Sequence, residues 1–412
     1  MYYSKVSTNA FGALGNHGSD SSVKLASNNS IIVESDISDL TNGDDSQVHG
    51  DGTTSTRHQG GASFKVVNGT TTQYTANFLM KLRKIGNTEV PEIGLGCMNL
   101  SHGYGGYPSK EDSFALLQRA YDLGVRHYDT AALYGYGRNE ELVGEWMQPY
   151  RKKIHLASKC GMQGVDGKRV IDGRAATLKA TLEDSLRRLN TDFIDVYYLH
   201  RWDKNNVAIE ESVGALAEMV QEGKIGGIGL SEVSAATLRK AHAVHPITAV
   251  QNEYSLWTRN PEIGLSEACQ ELGVTLVAFS PLGRGFLCAP ELGLTKFAEG
   301  DMRLTMPRFQ EPHVSQNREL IKKLSEICTE AGCSLAQIAI AWLLAQGEHV
   351  LPIPGTVKID HLEDDLGAAS ITLSANIMSK LDDLFQPEKV HGFRYPSLGM
   401  SEVDTERFAC EQ

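Results

Sequence analysis

The sequence predicts an α/β fold: a (β/α)8 barrel with an N-terminal hairpin, extra C-terminal helices and a disordered N-terminal tail. Three observations predict it. Eight short apolar runs, beginning near residues 93, 126, 154, 193, 225, 249, 275 and 350, alternate with helical patterns. The alternation fills a little more than the ~250 residues typical of a TIM barrel. No G-x-G-x-x-G follows the first run, which argues against a doubly wound sheet.

Residues 1–78 are rich in Ser, Thr, Asn, Gly and Asp, and Ile31-Ile-Val33 is the one apolar cluster of note. Such a segment buries too little surface to offset its ordering entropy, so a disordered low-complexity tail is expected. The barrel is expected over 79–400, with 401–412 as a C-terminal tail. Leu82-Arg-Lys-Ile85 and Glu89-Val-Pro91, split by Gly86-Asn87, predict a hairpin. Ile93-Gly-Leu-Gly-Cys97 predicts the first barrel strand. Helical pattern fills 110–123, then strand 126–130, helix 140–147 and strand 154–159. Leu178, Leu182, Leu186 and Leu189 form the stripe of a helix over 175–189. Strand 193–199 follows, and the next helix, 208–221, stops at Gly223. Strand 225–230, helix 235–242, strand 249–251, helix 262–272 and strand 275–279 come next. A connection containing Gly, Pro and Arg runs from 281 to 312, and a helix over 316–331 is additional to the alternation. Helix 335–345, strand 350–353 and helices 360–368 and 374–385 complete the pattern.

Hydrophobic residues make up 41% and charged residues 22%, the balance of a soluble globular chain. The formal net charge of −12 argues against a surface that coats nucleic acid. No run approaches the ~18 apolar residues of a membrane span. The N-terminus lacks the basic-then-apolar pattern of a secretory signal, so a cytoplasmic location is expected. The seven cysteines are scattered and contain no C-x-x-C. That favours a reducing compartment over a disulfide framework, and no metal site is expected. Oligomeric state is left open.

Four polar side chains fall at expected strand ends. Asp129 closes the second strand, and Tyr134 lies five residues on, in the following loop. Lys159 closes the third strand and His200 the fourth. In a barrel, strand ends and βα-loops form one active-site face, so all four are expected on one rim. A phenol is a poor acid, with an ordinary pKa near ~10. Lowering it by ~2 to 3 units takes roughly 3 to 4 kcal/mol. One ammonium at ~4 Å supplies about 4 kcal/mol at an effective dielectric near ~20. Lys159 is therefore expected to acidify Tyr134, Asp129 to keep the buried ammonium charged, and His200 to hydrogen-bond a substrate oxygen. Donors aimed at an oxygen that gains negative charge are what carbonyl reduction requires.

These residues sit in motifs that resemble the aldo-keto reductases over about residues 80–400. The motifs are Gly94-Leu-Gly-Cys-Met98, Asp129-Thr-Ala131 with Tyr134-Gly135, Ala157-Ser-Lys159 and Tyr197-Tyr-Leu-His200. They continue through Gly229-Leu-Ser231, Val250-Gln251, Phe279-Ser-Pro-Leu-Gly-Arg-Gly-Phe-Leu287 and Pro352-Ile-Pro-Gly-Thr356. Asn252-Glu-Tyr-Ser-Leu-Trp257 and Gly392-Phe-Arg-Tyr-Pro396 resemble a branch of fungal, plant and bacterial aldehyde reductases that includes pyridoxal-reductase-like proteins.

The resemblance implies an NADP(H)-dependent oxidoreductase that interconverts a small-molecule carbonyl and its alcohol. It implies Tyr134 as proton donor, Lys159 and Asp129 as its tuning pair, and His200 as the residue that orients the carbonyl. NADPH/NADP+ is expected without a Rossmann domain. Ser231 and Gln251 match residues that hold the carboxamide, and Phe279 stands where an aromatic stacks on the nicotinamide. The loop after strand 7 (Ser280, Pro281, Leu282, Gly283, Arg284) and that after strand 8 (Gly355, Thr356, Lys358) match phosphate and adenosine contacts, as do Glu363 and Asp365. Barrels commonly use these two loops for phosphate. Two departures stand out: Val357 where relatives often carry Arg, and Asp365 where they carry Asn. Losing a cation and gaining a carboxylate is expected to weaken the preference for NADPH, which Lys358 still supports. The resemblance also leaves open a non-catalytic NADP(H)-sensing interaction protein of the potassium-channel β-subunit type, with residues 1–78 as its working part. Trp202 and Trp257 are candidates for a substrate wall, and His102 and His127 read as structural.

Overall fold

The structure, a computed structural model, describes residues 80–165, 168–289 and 297–411, and six short strands between residues 22 and 76. The chain divides into two units, Met1–Asn77 and Phe78–Gln412. In the first unit, Ser22–Leu25, Ile31–Glu34, Ser46–Val48, Thr54–Arg57, Ala62–Val67 and Thr71–Ala76 pair as one antiparallel sheet. The rest of the segment expected as a disordered tail lies outside the described residues.

In the second unit, eight parallel strands follow one another in chain order: β1 (Leu95–Gly96), β2 (His127–Asp129), β3 (His155–Cys160), β4 (Val196–Leu199), β5 (Ile228–Ser231), β6 (Ile247–Glu253), β7 (Thr275–Phe279) and β8 (Val350–Pro352). These are the eight expected strands in the expected order. The sheet curls until its edges meet. The Gly94 amide donates to the Pro352 carbonyl at 3.0 Å, and the Gly96 amide to the Pro354 carbonyl at 2.9 Å. Those two bonds join the ends of the sheet and satisfy groups that an open edge would expose.

Helices α1 (Lys110–Asp122), α2 (Arg138–Met147), α3 (Ala175–Leu189), α4 (Ile209–Gln221), α5 (Ala235–Val244) and α6 (Leu265–Leu272) alternate with the strands. Helix α7 (His313–Ala331) is the additional one, before α8 (Leu335–Leu344) and α9 (Ile359–Gly367). Helices α10 (Ala375–Leu384) and α11 (Ser397–Ser401) end the chain. The leucine stripe of α3 is buried at Leu178, Leu182, Leu186 and Leu189, each such side chain contributing about 1.5–3 kcal/mol.

The hairpin Leu82–Ile85/Thr88–Pro91 plugs the barrel at the end where its strands begin. Its Ile85 and Val90 pack with Val196, Tyr198, Ala249, Val277 and Leu351 of the barrel interior. Thr275 Oγ1 donates to the Lys84 carbonyl at 2.6 Å, and Arg83 bonds the Leu344 carbonyl at 2.7 Å. With that mouth filled, a ligand has access at the other, where the strands end.

Two elements differ from expectation. A second hairpin, Met162–Val165 with Lys168–Ile171, follows β3. Its Asp166-Gly167 is a turn signature that the polar composition around it obscures. The expected C-terminal tail is packed: Val403 is buried, and Asp404 and Glu406 bond to the start of α5.

Candidate active site

Parallel pairing of β2 with β3 sets Asp129 opposite Ala157, so that Lys159 lies just beyond it toward the open mouth. The Lys159 ammonium is held to Asp129 Oδ1, and it donates to the Thr130 carbonyl at 2.8 Å and to the Tyr134 hydroxyl at 3.3 Å. The Lys159 and Asp129 side chains are only 0% and 3% exposed, so water screens this pair little. Gln251 Nε2 donates to the second oxygen of Asp129 at 2.8 Å. The carboxylate is thereby engaged on both oxygens, as a buried charge requires.

Tyr134 reaches this cluster because the loop after β2 turns back at once. The Tyr134 amide bonds the Ala131 carbonyl at 3.0 Å, and Gly135 follows at φ 56°. A β-carbon on Gly135 would meet Ser101 Oγ at 2.8 Å, so a left-handed conformation and close contact both call for glycine. Asn139 fastens the loop, donating to the Cys97 carbonyl at 2.9 Å and Ser101 Oγ at 2.8 Å. Behind β3, buried Glu140 accepts from Ser158 Oγ at 2.6 Å and from Arg188 Nε at 2.7 Å.

His200 caps β4, its amide bonded to the Cys160 carbonyl at 2.8 Å. Its ring stands edge-on to Tyr134, with centroids 5.7 Å apart and planes at 86°. The four residues picked from the sequence therefore meet on one rim. His102, read as structural, joins them: its ring stacks on Tyr134 at 5.7 Å and 27°. The signal for it, a histidine in the loop after the first strand, was present but unspecific.

Electrostatics correct one expectation. Burial pushes the Tyr134 phenol above its ordinary value; Lys159 pulls it down, Asp129 pushes it up, and the net direction is upward. The acidified phenol that the sequence arithmetic predicted is absent, because that arithmetic omitted desolvation. For Lys159, burial favours the neutral amine, but Asp129 and then Tyr134 outweigh it and raise the ammonium's pKa. Burial, then Lys159 and Arg201, hold His200 well below its ordinary value, so it is a neutral imidazole. Burial also raises the Cys160 thiol, which makes it a packed strand residue and not a nucleophile.

The residues implied for the cofactor border the same mouth. Ser231 ends β5 and accepts from Arg201 at 3.2 Å. Phe279 ends β7 beside the interior cluster. In the loop after it, Ser280, Gly283, Arg284 and Gly285 all take positive φ, of 51°, 57°, 59° and 88°. These residues reverse the chain tightly, with the Gly283 amide bonded to the Ser280 carbonyl at 2.9 Å and the Gly285 amide to the Leu282 carbonyl at 3.0 Å. Pro281 and Leu282 complete the turn. After β8, Asn99 Nδ2 holds the Gly355 carbonyl at 3.0 Å, and Thr356 Oγ1 accepts from the Lys358 amide at 3.1 Å.

Three implied contacts look different in the structure. Arg284 is turned inward onto Glu253 at 2.9 Å and the Tyr395 hydroxyl at 2.9 Å. Glu363 accepts from Arg119 at 2.7 Å. Asp365 is buried, and burial followed by repulsion from Asp364 raises its pKa well above the ordinary carboxyl value. That shift disfavours the charged form and so acts against the expected weakening of the NADPH preference. Trp257 is buried and stacks on Phe286 at 4.7 Å, and Trp202 bonds the Val207 carbonyl at 2.8 Å.

A closed eight-stranded barrel with a Lys–Asp pair, a phenol and an imidazole at one mouth defines a class of oxidoreductases. Residues 92–386 match the Aldo/keto reductase family, and the chain belongs to that family. It is 42% identical over 321 residues to aldo-keto reductase yakc [NADP(+)] of Schizosaccharomyces pombe, covering 76% of this chain and 94% of that protein. Among solved structures, it resembles glycerol dehydrogenase AKR11B4 from Gluconobacter oxydans, with TM-score 0.66, 28% identity and coverage of 74% of this chain and 94% of that one. It also resembles aldo-keto reductase AKR11C1 from Bacillus halodurans, with TM-score 0.62, 28% identity and coverage of 75% and 97%.

Proposed function

We propose that the protein is an NADPH-dependent carbonyl reductase in which Tyr134 delivers the proton to the carbonyl oxygen. The observation that carries this reading is the buried ammonium of Lys159, which bridges Asp129 and the Tyr134 hydroxyl beside a neutral His200. The NADP(+) in the name of the fission-yeast relative supports the choice of cofactor.

NADPH, when bound, supplies the hydride. The chain's own residues handle the proton. Tyr134, with its pKa raised, stays protonated across the neutral range and is a loaded donor. As the substrate oxygen takes the proton, negative charge passes to the phenol oxygen, 3.3 Å from the ammonium. Lys159 therefore stabilises the charge where it develops, while Asp129 and the Thr130 carbonyl fix the ammonium's position. A neutral imidazole at His200 orients the carbonyl without competing as an acid. Alcohol oxidation uses the same groups in reverse.

Replacing Tyr134 with Phe is expected to lower turnover on an aldehyde panel by on the order of 10² to 10⁴ while NADPH binding survives. Near-normal turnover in that variant would sink the mechanism. A wild-type protein that binds NADPH but consumes none on the panel would favour a cofactor-sensing interaction protein instead.

A further inference from the structure

We propose that residues 392–406 form a strap that sets the shape of the cofactor loop 280–285. Arg394 and Tyr395 are its positioning residues, and Arg284 is the loop's inward anchor and not a phosphate ligand. The proposal rests on the reading above that this loop receives the cofactor.

The strap crosses the ends of three neighbouring strands. Glu253 ends β6, and Glu232 follows β5 directly. Arg394, its side chain 2% exposed, pairs with Glu232 at 3.0 Å and Glu253 at 3.3 Å. Arg284 in the loop after β7 shares Glu253 and donates to the Tyr395 hydroxyl at 2.9 Å. Further along, the Asp404 amide bonds the Glu232 carbonyl at 2.9 Å, and the Asp404 carboxylate accepts from Ser234 and Thr237 at the start of α5. Glu406 accepts from the Ala235 amide at 2.7 Å. The bonds of Arg394, Tyr395 and the Asp404 amide join the strap to segments bearing residues implied for cofactor binding, Ser231 on β5, Gln251 on β6 and the β7 loop, while the Asp404 and Glu406 side chains fasten it to the start of α5.

The loop needs such support. Arg284 and Ser280 sit at φ 59° and 51°, which side chains other than glycine adopt only when their surroundings over-determine them. An outward Arg284 would leave that conformation unsupported and Glu253 short of one cation. Arg284 points inward, and its guanidinium, 7% exposed, is engaged by an acid and a phenol. Held this way, the guanidinium is committed to the barrel side of the loop.

Full-length Tyr395→Phe, Arg394→Met and Arg394→Lys proteins test this. The readouts are NADPH and NADH dissociation constants by cofactor fluorescence, melting temperature without cofactor, and single-turnover hydride transfer at saturating cofactor. Tyr395→Phe is expected to weaken both cofactors by the same factor, up to about tenfold for one hydrogen bond, with transfer at saturation unchanged. Arg394→Met should weaken both further, with partial rescue in Arg394→Lys. If Arg394→Met fails to fold, Tyr395→Phe decides alone. Wild-type dissociation constants in Tyr395→Phe would overturn the proposal. So would an Arg284→Met protein that loses NADPH but keeps NADH, since Arg284 would then read the 2′-phosphate itself. A wild-type protein that binds neither cofactor would remove the functional reading as well as the strap, whereas wild-type binding with unaffected variants removes the strap alone.

Discussion

Lys159→Met is the perturbation whose consequences the geometry fixes most fully. Methionine keeps the length of the side chain and removes the charge. Asp129 then stays buried with Gln251 as its remaining side-chain donor, and breaking a buried pair in this way costs about 3–5 kcal/mol. The second consequence is chemical. A unit charge 3.3 Å from the phenol oxygen attracts phenolate by about 5 kcal/mol at an effective dielectric near ~20. That gross figure is a ceiling of about 10³ to 10⁴ in phenolate population at a given pH. Alcohol oxidation, which begins from phenolate, should fall by up to that factor, and its rise with pH should move to more alkaline conditions. Stability carries a matching sign. The folded-state pKa of Lys159 is raised, so its contribution is complete below the ordinary lysine value and disappears as pH climbs past the raised one. Urea unfolding and initial oxidation rates across neutral to alkaline pH measure both effects. A Lys159→Met protein with wild-type stability and an unmoved oxidation profile would refute the reasoning.

Two further outcomes are expected. Gly144→Ala places a β-carbon 2.6 Å from Leu189 Cα and 2.7 Å from the Arg188 carbonyl. The gain in helix propensity of about 1 kcal/mol is then outweighed by overpacking of α2 on α3, for a net loss of roughly 1–3 kcal/mol; urea unfolding equal to wild type would show that the helices separate freely. His127 and His200 are both held well below the ordinary histidine value, chiefly by burial. As pH falls below ~6.5, the unfolded chain takes up protons that the fold refuses, and stability should drop by about 1.4 kcal/mol per pH unit for each. A stability curve that stays level from pH 7 to 5 would contradict this.

What the sequence made legible follows from what periodicity can encode. Asp129, Lys159 and His200 were found because eight alternating repeats fix which strand ends share a rim, and Tyr134 because it sits in the loop between two of them. The sign of the Tyr134 shift was not legible. It is set by burial against one ammonium and one carboxylate, and burial depends on His102, His200 and the hairpin after β3, none adjacent to Tyr134 in sequence. Arg284 makes the same point about direction. Its motif resembles part of a cofactor loop, yet its guanidinium is turned onto Glu253 and onto Tyr395, the latter 111 positions along the chain. Asp365 is similar: read as a charge, it predicts weaker NADPH binding, whereas its burial raises its pKa and disfavours that charge. In each case the residue's place in the chain is legible from its motif, and its pKa shift or orientation is not. Those two properties are set by neighbours remote in sequence, so the chemistry at this mouth depends on long-range packing more than on the motifs themselves.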